Sequence, residues 1–278
     1  MNKITDQDYL QNDQYHSAVN LNHRIALHER FSTNKTHWAE WIFQHLAVKE
    51  AHRVLAVGCG NATQWRENVG RYPQETQFVL MDLSVGMLSS ARRGFSPLEN
   101  RFMVVNGDAH FIPFPPAYFD RVTANHMLYH VPNIDWAVAE CARVVKPSGL
   151  LMAATNGMNH MTDFYGLLSA FDAAFSPPNI AKRRFGLRNG AKYLLKHFHE
   201  VRSKLYNCDL WVTDAQALVN YAFSMWDVQD TIAMGKAKAM KEYFGERIKT
   251  EGGIRIRKET GIFLASKTPG LIDSIGIL

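Results

Sequence analysis

The sequence predicts an α/β protein built on a parallel sheet covered on both faces. Three observations lead there. Short apolar runs recur between Arg53 and Thr155, each is apolar throughout rather than alternating, and stretches with helical spacing lie between them. Strands buried on both faces read as continuous apolar runs, and strands that alternate with helices pair in parallel through right-handed crossovers.

Taken in order, residues 1–30 read as polar helix and loop. "RFSTNKTHWAEWIFQHL" reads as an amphipathic helix, with Ser32, Thr33 or Asn34 as its cap and Trp38, Trp41, Ile42 and Leu46 at helical spacing. The strands follow: "RVLAVG", "QFVLMD" (77–82), "FMVVNGD" (102–108), "FDRVTAN" (119–125) and "LLMAAT" (150–155). Ser84 is placed to cap the helix after the second strand, and "NIDWAVAECARVV" is a helix closed by the turn "KPSG". Beyond Asn156 the spacing changes. An aromatic helix leads to the breaker "SPPN", "NGAKYLLKHF" is a further helix, and "EVRSKLYNCDLWV" a strand. Helices are expected near 214–226 and 231–249. "IRIRKETGIFLASK" closes the fold as a strand pair or one bulged strand turning at Lys258 to Gly261, and the tail has no pattern. The organisation is an N-terminal helical cover segment (1–50), a ligand-binding core (51–157), a helical cover with a returning strand (158–250) and closing strands with a tail (251–278).

Composition narrows the function classes. The chain has 278 residues, 46% hydrophobic, with a net charge of +5. No apolar run reaches the roughly 18 residues that cross a bilayer, and the polar start has no signal-peptide core. A soluble, cytoplasmic protein without membrane insertion is expected. Three cysteines (Cys59, Cys141, Cys208), far apart and without a CxxC, argue against a disulfide framework and a cysteine-built metal site. The densest basic cluster, "AKRRFGLR" (181–188), is too short for a nucleic-acid track and reads as a solvated face or lid.

The chemistry concentrates at the strand ends. The turn Gly58-Cys59-Gly60 lets the backbone approach a ligand with no Cβ in the way, and the helix after it aims unpaired N–H groups at the same place. Asp82 ends the second strand, where an acid can accept both hydroxyls of a ribose. Asp108 follows the third, placed to accept from an adenine amino group. Two acids beside a nucleoside leave little room for a pyrophosphate, so the ligand is a nucleoside with a short zwitterionic arm.

With these residues in view, the chain resembles the class I S-adenosylmethionine-dependent methyltransferases, in the ubiquinone/menaquinone-biosynthesis-like small-molecule group. "VLAVGCGNA", "MDLSVGMLSSAR", "VNGDAHFIPF", "FDRVTANHMLYHV" and "ECARVVKPSGLLMAATNG" carry the resemblance over about 54–157. It implies a Rossmann-like, seven-stranded, mostly parallel sheet whose last strand runs antiparallel, helices on both faces, and a helical substrate cover. It implies S-adenosyl-L-methionine as cofactor and S-adenosyl-L-homocysteine as product. Gly58, Cys59 and Gly60 would line the methionine arm, Asp82 would hold the ribose, Leu83 and Met87 would flank the adenine, Asp108 and Ala109 would meet its edge, and the backbone at Asn125 would face the amino group. Two positions depart from the family. Ala56 stands where an acid helps hold the ammonium, a loss of about 1–2 kcal/mol in affinity. Ala62 replaces a third glycine. Tyr15 or Arg24 is the expected substitute for holding the carboxylate.

Base candidates for the acceptor's proton are His126, Tyr129 and His130, directly after the fourth strand. The Pro-Pro-Tyr and Pro-Cys signatures of base-modifying enzymes are absent, as is a carboxylate cluster for a metal. The expected partner is a small methyl acceptor, ring-bearing or apolar, facing cover aromatics such as Phe164, Tyr165, Phe171, Phe175, Phe185, Tyr221, Phe223 and Trp226. The oligomeric state is left open between monomer and homodimer. The competing readings are a non-catalytic cofactor-binding sensor, motivated by Ala56 and Ala62, and an RNA or protein methyltransferase, motivated by the basic balance.

Overall fold

Strands β1 (Arg53–Val57), β2 (Gln77–Asp82), β3 (Phe102–Asn106), β4 (Phe119–Thr123) and β5 (Val145–Asn156) pair in parallel in the order β3-β2-β1-β4-β5. The computed structural model describes residues 3–49, 52–95, 100–177 and 184–276. Residues 178–183, which include part of "SPPN" and the first three residues of "AKRRFGLR", lie outside them, as do the side chain of Trp226 and the last two residues of the tail.

The continuous apolar strands have the reason expected of them. Leu55 and Val57 of β1 join the core on one face of the sheet, and Val54 and Ala56 join the core on the other. Helix α6 (Ile134–Val144), capped by the Asn133 side chain on Trp136 N, covers the first face. The second face is closed by α3 (Trp38–Leu46) and by Trp65 and Tyr72. Arg121 of β4, buried at 3% exposure, donates to the Leu46 and Ala47 carbonyls and so satisfies the last turn of α3.

The sheet has seven strands. β9 (Thr260–Ser266) lies antiparallel between β5 and β6 (Glu200–Leu205). A separate ribbon pairs β7 (Asp209–Val212) with β8 (Ile254–Arg257). Around it pack α2 (Val19–Arg30), α7 (Thr162–Phe171), α9 (Ala215–Phe223), α10 (Trp226–Thr231) and α11 (Ala237–Glu251), with a core of their own that includes Leu27, Phe164, Leu210, Leu218 and Phe244.

Several local expectations need correction. "EVRSKLYNCDLWV" is two strands in two sheets, because the chain leaves the main sheet at Tyr206. β8 and β9 are not a hairpin: each pairs elsewhere, and Lys258 and Glu259 pass between sheets. "KPSG" is drawn into β5, which bulges against β4 between Phe119 and Arg121. Ser32, Thr33 and Asn34 do not cap α3, whose N-cap is His37. Instead Ser32 bridges to Leu210, and Thr33 donates to the Asp209 carbonyl. The second late helix starts later than expected: a 3-10 turn (Met234–Lys236) leads into α11, which runs from Ala237 to Glu251. The tail forms the short α12 (Leu271–Ile275), which buries Ile272.

Candidate functional site

At the carboxyl end of β1, Gly58 and Gly60 take φ of +66° and +57°. A Cβ on Gly58 would stand 2.7 Å from the Met127 Cβ, so only glycine fits. Cys59 N donates to the Met81 carbonyl and ties the turn to β2. Each oxygen of Asp82 accepts one backbone N–H, from Gly60 at 2.7 Å and from Ser84 at 2.9 Å. Burial raises the Asp82 pKa against these two hydrogen bonds. Ser84 caps α5 (Val85–Arg93) by accepting from Met87 N, as its position suggested.

Asp108 stands beyond β3. One oxygen accepts from His110 N and faces His110 Nδ1 at 2.7 Å, while the other accepts from the Gln7 amide at 3.0 Å. Burial works against its charge, yet these hydrogen bonds prevail and hold the carboxyl below its usual value. Ala109, next in the chain, and Met87 of the helix after β2 are buried, and Leu83 O accepts from Asn106.

Asn125, just after β4, donates to Gln64 Oε1 at 3.2 Å. This leaves two buried atoms without a hydrogen bond, the acceptor Asn125 Oδ1 and the donor Gln64 Nε2. Such a pair matches the ammonium and carboxylate of an amino acid. Gln64 lies on α4 (Thr63–Arg66), directly after the glycine turn, and nothing in its sequence context singled it out. Ala62 is buried and takes φ of +60°, so a methyl group occupies a left-handed position that glycine adopts more easily.

The N-terminal segment closes over this edge. Tyr15 O accepts from Ser84 Oγ at 2.7 Å, the His16 carbonyl lies against Gly86, Leu21 packs at Gly60, and Asn61 donates to Asn22 at 2.7 Å.

Tyr15 and Arg24 come together with two of the base candidates rather than with the glycine turn. His130 Nδ1 faces the Ile4 carbonyl at 3.0 Å and its Nε2 faces Tyr15 Oη at 3.1 Å, so both ring nitrogens are engaged. Arg24 reaches Tyr15 Oη at 3.5 Å and donates to the Ser224 carbonyl at 2.7 Å. Burial, with smaller effects from neighbouring charges, pushes both His126 and His130 down to about 4, so both imidazoles are neutral near pH 7. His126 also holds φ of +55° and packs on Trp38. Burial raises the Tyr129 hydroxyl. Arg24, His28, Tyr129, His130 and Tyr165 are half-buried and keep some accessible surface.

Among the cover aromatics, Phe164, Phe175 and Phe185 are packed in cores, whereas Tyr165 and Tyr221 lie within electrostatic reach of Arg24. Arg184 of the basic cluster donates to the carbonyls of Tyr129, Val131 and Pro132, bracing the loop after β4. A separate cavity of roughly 350 Å³ opens beside Tyr206, Cys208 and Lys258. No group of three or more potential metal ligands occurs among the described residues, and none of their helices is long and apolar enough to cross a membrane.

Residues 55–153 match a family model described as a methyltransferase domain. A demethylmenaquinone methyltransferase of Staphylococcus saprophyticus is 32% identical over 123 residues, covering 44% of this chain and 52% of that one. A ubiquinone biosynthesis O-methyltransferase of Azoarcus sp. is 31% identical over 133 residues, covering 47% and 55%. The chain thus spans about half the length of these curated relatives. Among solved structures, the [4+2]-cyclase SpnF is similar with a TM-score of 0.53 and 16% identity, covering 94% of this chain and 96% of that one, a likeness of fold alone.

Proposed function

Since residues 55–153 belong to the class I S-adenosylmethionine-dependent methyltransferases, we propose that the whole chain transfers a methyl group from S-adenosylmethionine to oxygen, nitrogen or carbon of a small ring-bearing molecule. The observation that carries this reading is the shared edge. The glycine turn, Asp82 and Asp108 stand at the ends of three adjacent parallel strands, where open α/β sheets bind ligands. In this reading Gly58, Cys59 and Gly60 line the methionine arm and the Asp82 carboxylate holds the ribose. Leu83 and Met87 flank the adenine, and Asp108 and Ala109 meet its edge. Gln7 already donates an amide N–H to Asp108, as an adenine amino group would. The Asn125–Gln64 pair takes the amino-acid end and offsets the missing acid at Ala56.

S-adenosylmethionine supplies a methyl group already activated by its sulfonium. The remaining tasks fall to the protein: alignment, water exclusion and, for a protic acceptor, removal of a proton. In this reading the acceptor lies against Tyr129, His130 and Arg24, which keep some accessible surface. There His130, neutral and bonded on both nitrogens, orients the Tyr15 hydroxyl. The quinone-pathway names of the relatives support a ring-bearing acceptor of quinone type.

Calorimetric titration with S-adenosylhomocysteine tests the reading. The wild type binds, and Asp82→Ala weakens binding by roughly a hundredfold, the loss of two hydrogen bonds to a charged group. Equal affinity in the two proteins overturns the site. Binding without methyl release to any acceptor pool would leave the sensor reading that Ala56 motivates.

A further inference from the structure

The cavity beside Tyr206 has no part in the methyl-transfer reading, yet it holds two groups of complementary reactivity. Cys208 and Lys258 both line its roughly 350 Å³, together with Thr33, Asn207 and Asp209. Lys258 Nζ lies 3.8 Å from Cys208 Sγ, although 50 residues separate them in the chain. Cys208 sits where the chain crosses from β6 to β7, and Lys258 where it crosses back from β8 to β9. The two crossings between the main sheet and the ribbon thus meet at one thiol and one amine.

A plain charge role does not account for Lys258. The carboxylate nearby is that of Asp209, and both its oxygens are engaged. Its Oδ1 accepts the backbone N–H of Lys258, and its Oδ2 accepts from Arg255 at 2.7 Å. Among the described residues the Lys258 ammonium forms no ion pair, and its contacts are the Cys208 sulfur and the Tyr206 ring, 5.3 Å away. Burial holds the amine below its ordinary range, against the pull of Cys208 and Asp209, which enlarges its neutral, nucleophilic fraction. The sulfur has polar company as well: Ser32 Oγ is 3.0 Å from it, and the thiol donates to the Asp209 carbonyl at 3.1 Å. The other two cysteines are placed differently. Cys141 is fully buried in the apolar core and Cys59 lies in the glycine turn, and burial raises both thiols, Cys141 to about 12.

We propose that Cys208 and Lys258 form a peroxide-sensitive modification site, in which the amine captures the oxidised sulfur and ties the two crossings together by an S–N bond. The proposal stands apart from the methyl-transfer reading. Hydrogen peroxide first oxidises the thiol to a sulfenic acid: its O–O bond breaks, an S–O bond forms, the sulfur gives up two electrons, and water leaves. The Lys258 lone pair then attacks the sulfur. The S–N bond forms, the S–O bond breaks, and the hydroxyl departs with an amine proton as a second water. One thiol, one amine and one peroxide give one sulfenamide and two waters. Rotamers of the long, unbranched lysine side chain bring Nζ onto the sulfur. The bond encloses α9, α10 and α11, and so restrains the cover as a disulfide closing the same loop would.

The test treats the full chain with a small excess of hydrogen peroxide and maps it by mass spectrometry without reductant. In the wild type one digest fragment joins Cys208 to Lys258 and is lighter than its two parts by two hydrogens. Dithiothreitol separates it again, and the bridged protein melts several degrees above the reduced one. In Lys258→Arg, which keeps the charge, no joined fragment forms, and dimedone labels Cys208 roughly tenfold more than in the wild type. The melting temperature of the untreated variant checks that it is folded. A wild type whose Cys208 takes dimedone as fully as the variant, or stays a thiol while Cys59 is oxidised, overturns the proposal. So does a joined fragment that keeps an added oxygen, or a disulfide from Cys208 to another cysteine.

Discussion

At Gly58 two demands meet, a positive φ and a neighbour 2.7 Å from where a Cβ would go. Gly58→Ala therefore costs about 2–3 kcal/mol, from left-handed strain and overpacking against Met127, measurable by urea unfolding. Ala62 shows the same backbone demand without the collision, which is why alanine is accepted there. Residues of this kind are legible in a sequence, because a glycine between an apolar strand and a helix has few other uses. Asp82 and Asp108 were legible for the same reason, as acids at predicted strand ends. Gln64 and the Cys208–Lys258 pair were not. Their significance lies in an N–H left without a partner and in a contact across 50 residues, which depend on what distant segments bring together.

Elements were legible where their periodicity was long and undisturbed. The parallel strands and α6 lie where the apolar runs put them: burial on both faces leaves such runs in β1 and β2, whereas β3, at the sheet edge, is apolar although Met103 is exposed. The cover was less so: its short helices and the β7–β8 ribbon depend on packing against one another, and β8 and β9 share a stretch that reads as one hairpin. The helix α2 that closes the site carries its own sensitivity to pH. Burial first, and then Glu67, raises Glu29 from 4.5 to about 7. At this group the folded state therefore binds more protons than the unfolded chain between those values, so the contribution of Glu29 to stability is full below pH 4.5 and is lost as pH rises through about 7. Melting temperatures of wild type and Glu29→Gln followed against pH show it as a difference: the wild type loses stability relative to the variant between pH 4.5 and about 7. A parallel decline in both proteins would mean that another group is responsible.

Over the whole molecule, the N-terminal segment packs on the glycine-turn edge through Ser84, Asn61 and Asp108, so in the proposed reading ligand binding and N-terminal order are linked. Gln7 must leave Asp108 if an adenine is to use that oxygen. Hydrogen exchange in residues 5–16 changes when S-adenosylhomocysteine is added, while the central strands β1 and β4 keep their protection. Unchanged exchange in that segment would mean that the cradle opens elsewhere. The position of β9 has a consequence of a different kind. It is the strand through which β6 joins the sheet, yet it follows every other described strand in the chain. Until residues 260–266 leave the ribosome, β5 and β6 both present bare edges, and bare edges pair with other chains. Translation thus has a vulnerable interval that ends only once β9 is made, and a chain released before Thr260 is expected to aggregate rather than to persist as a smaller folded core.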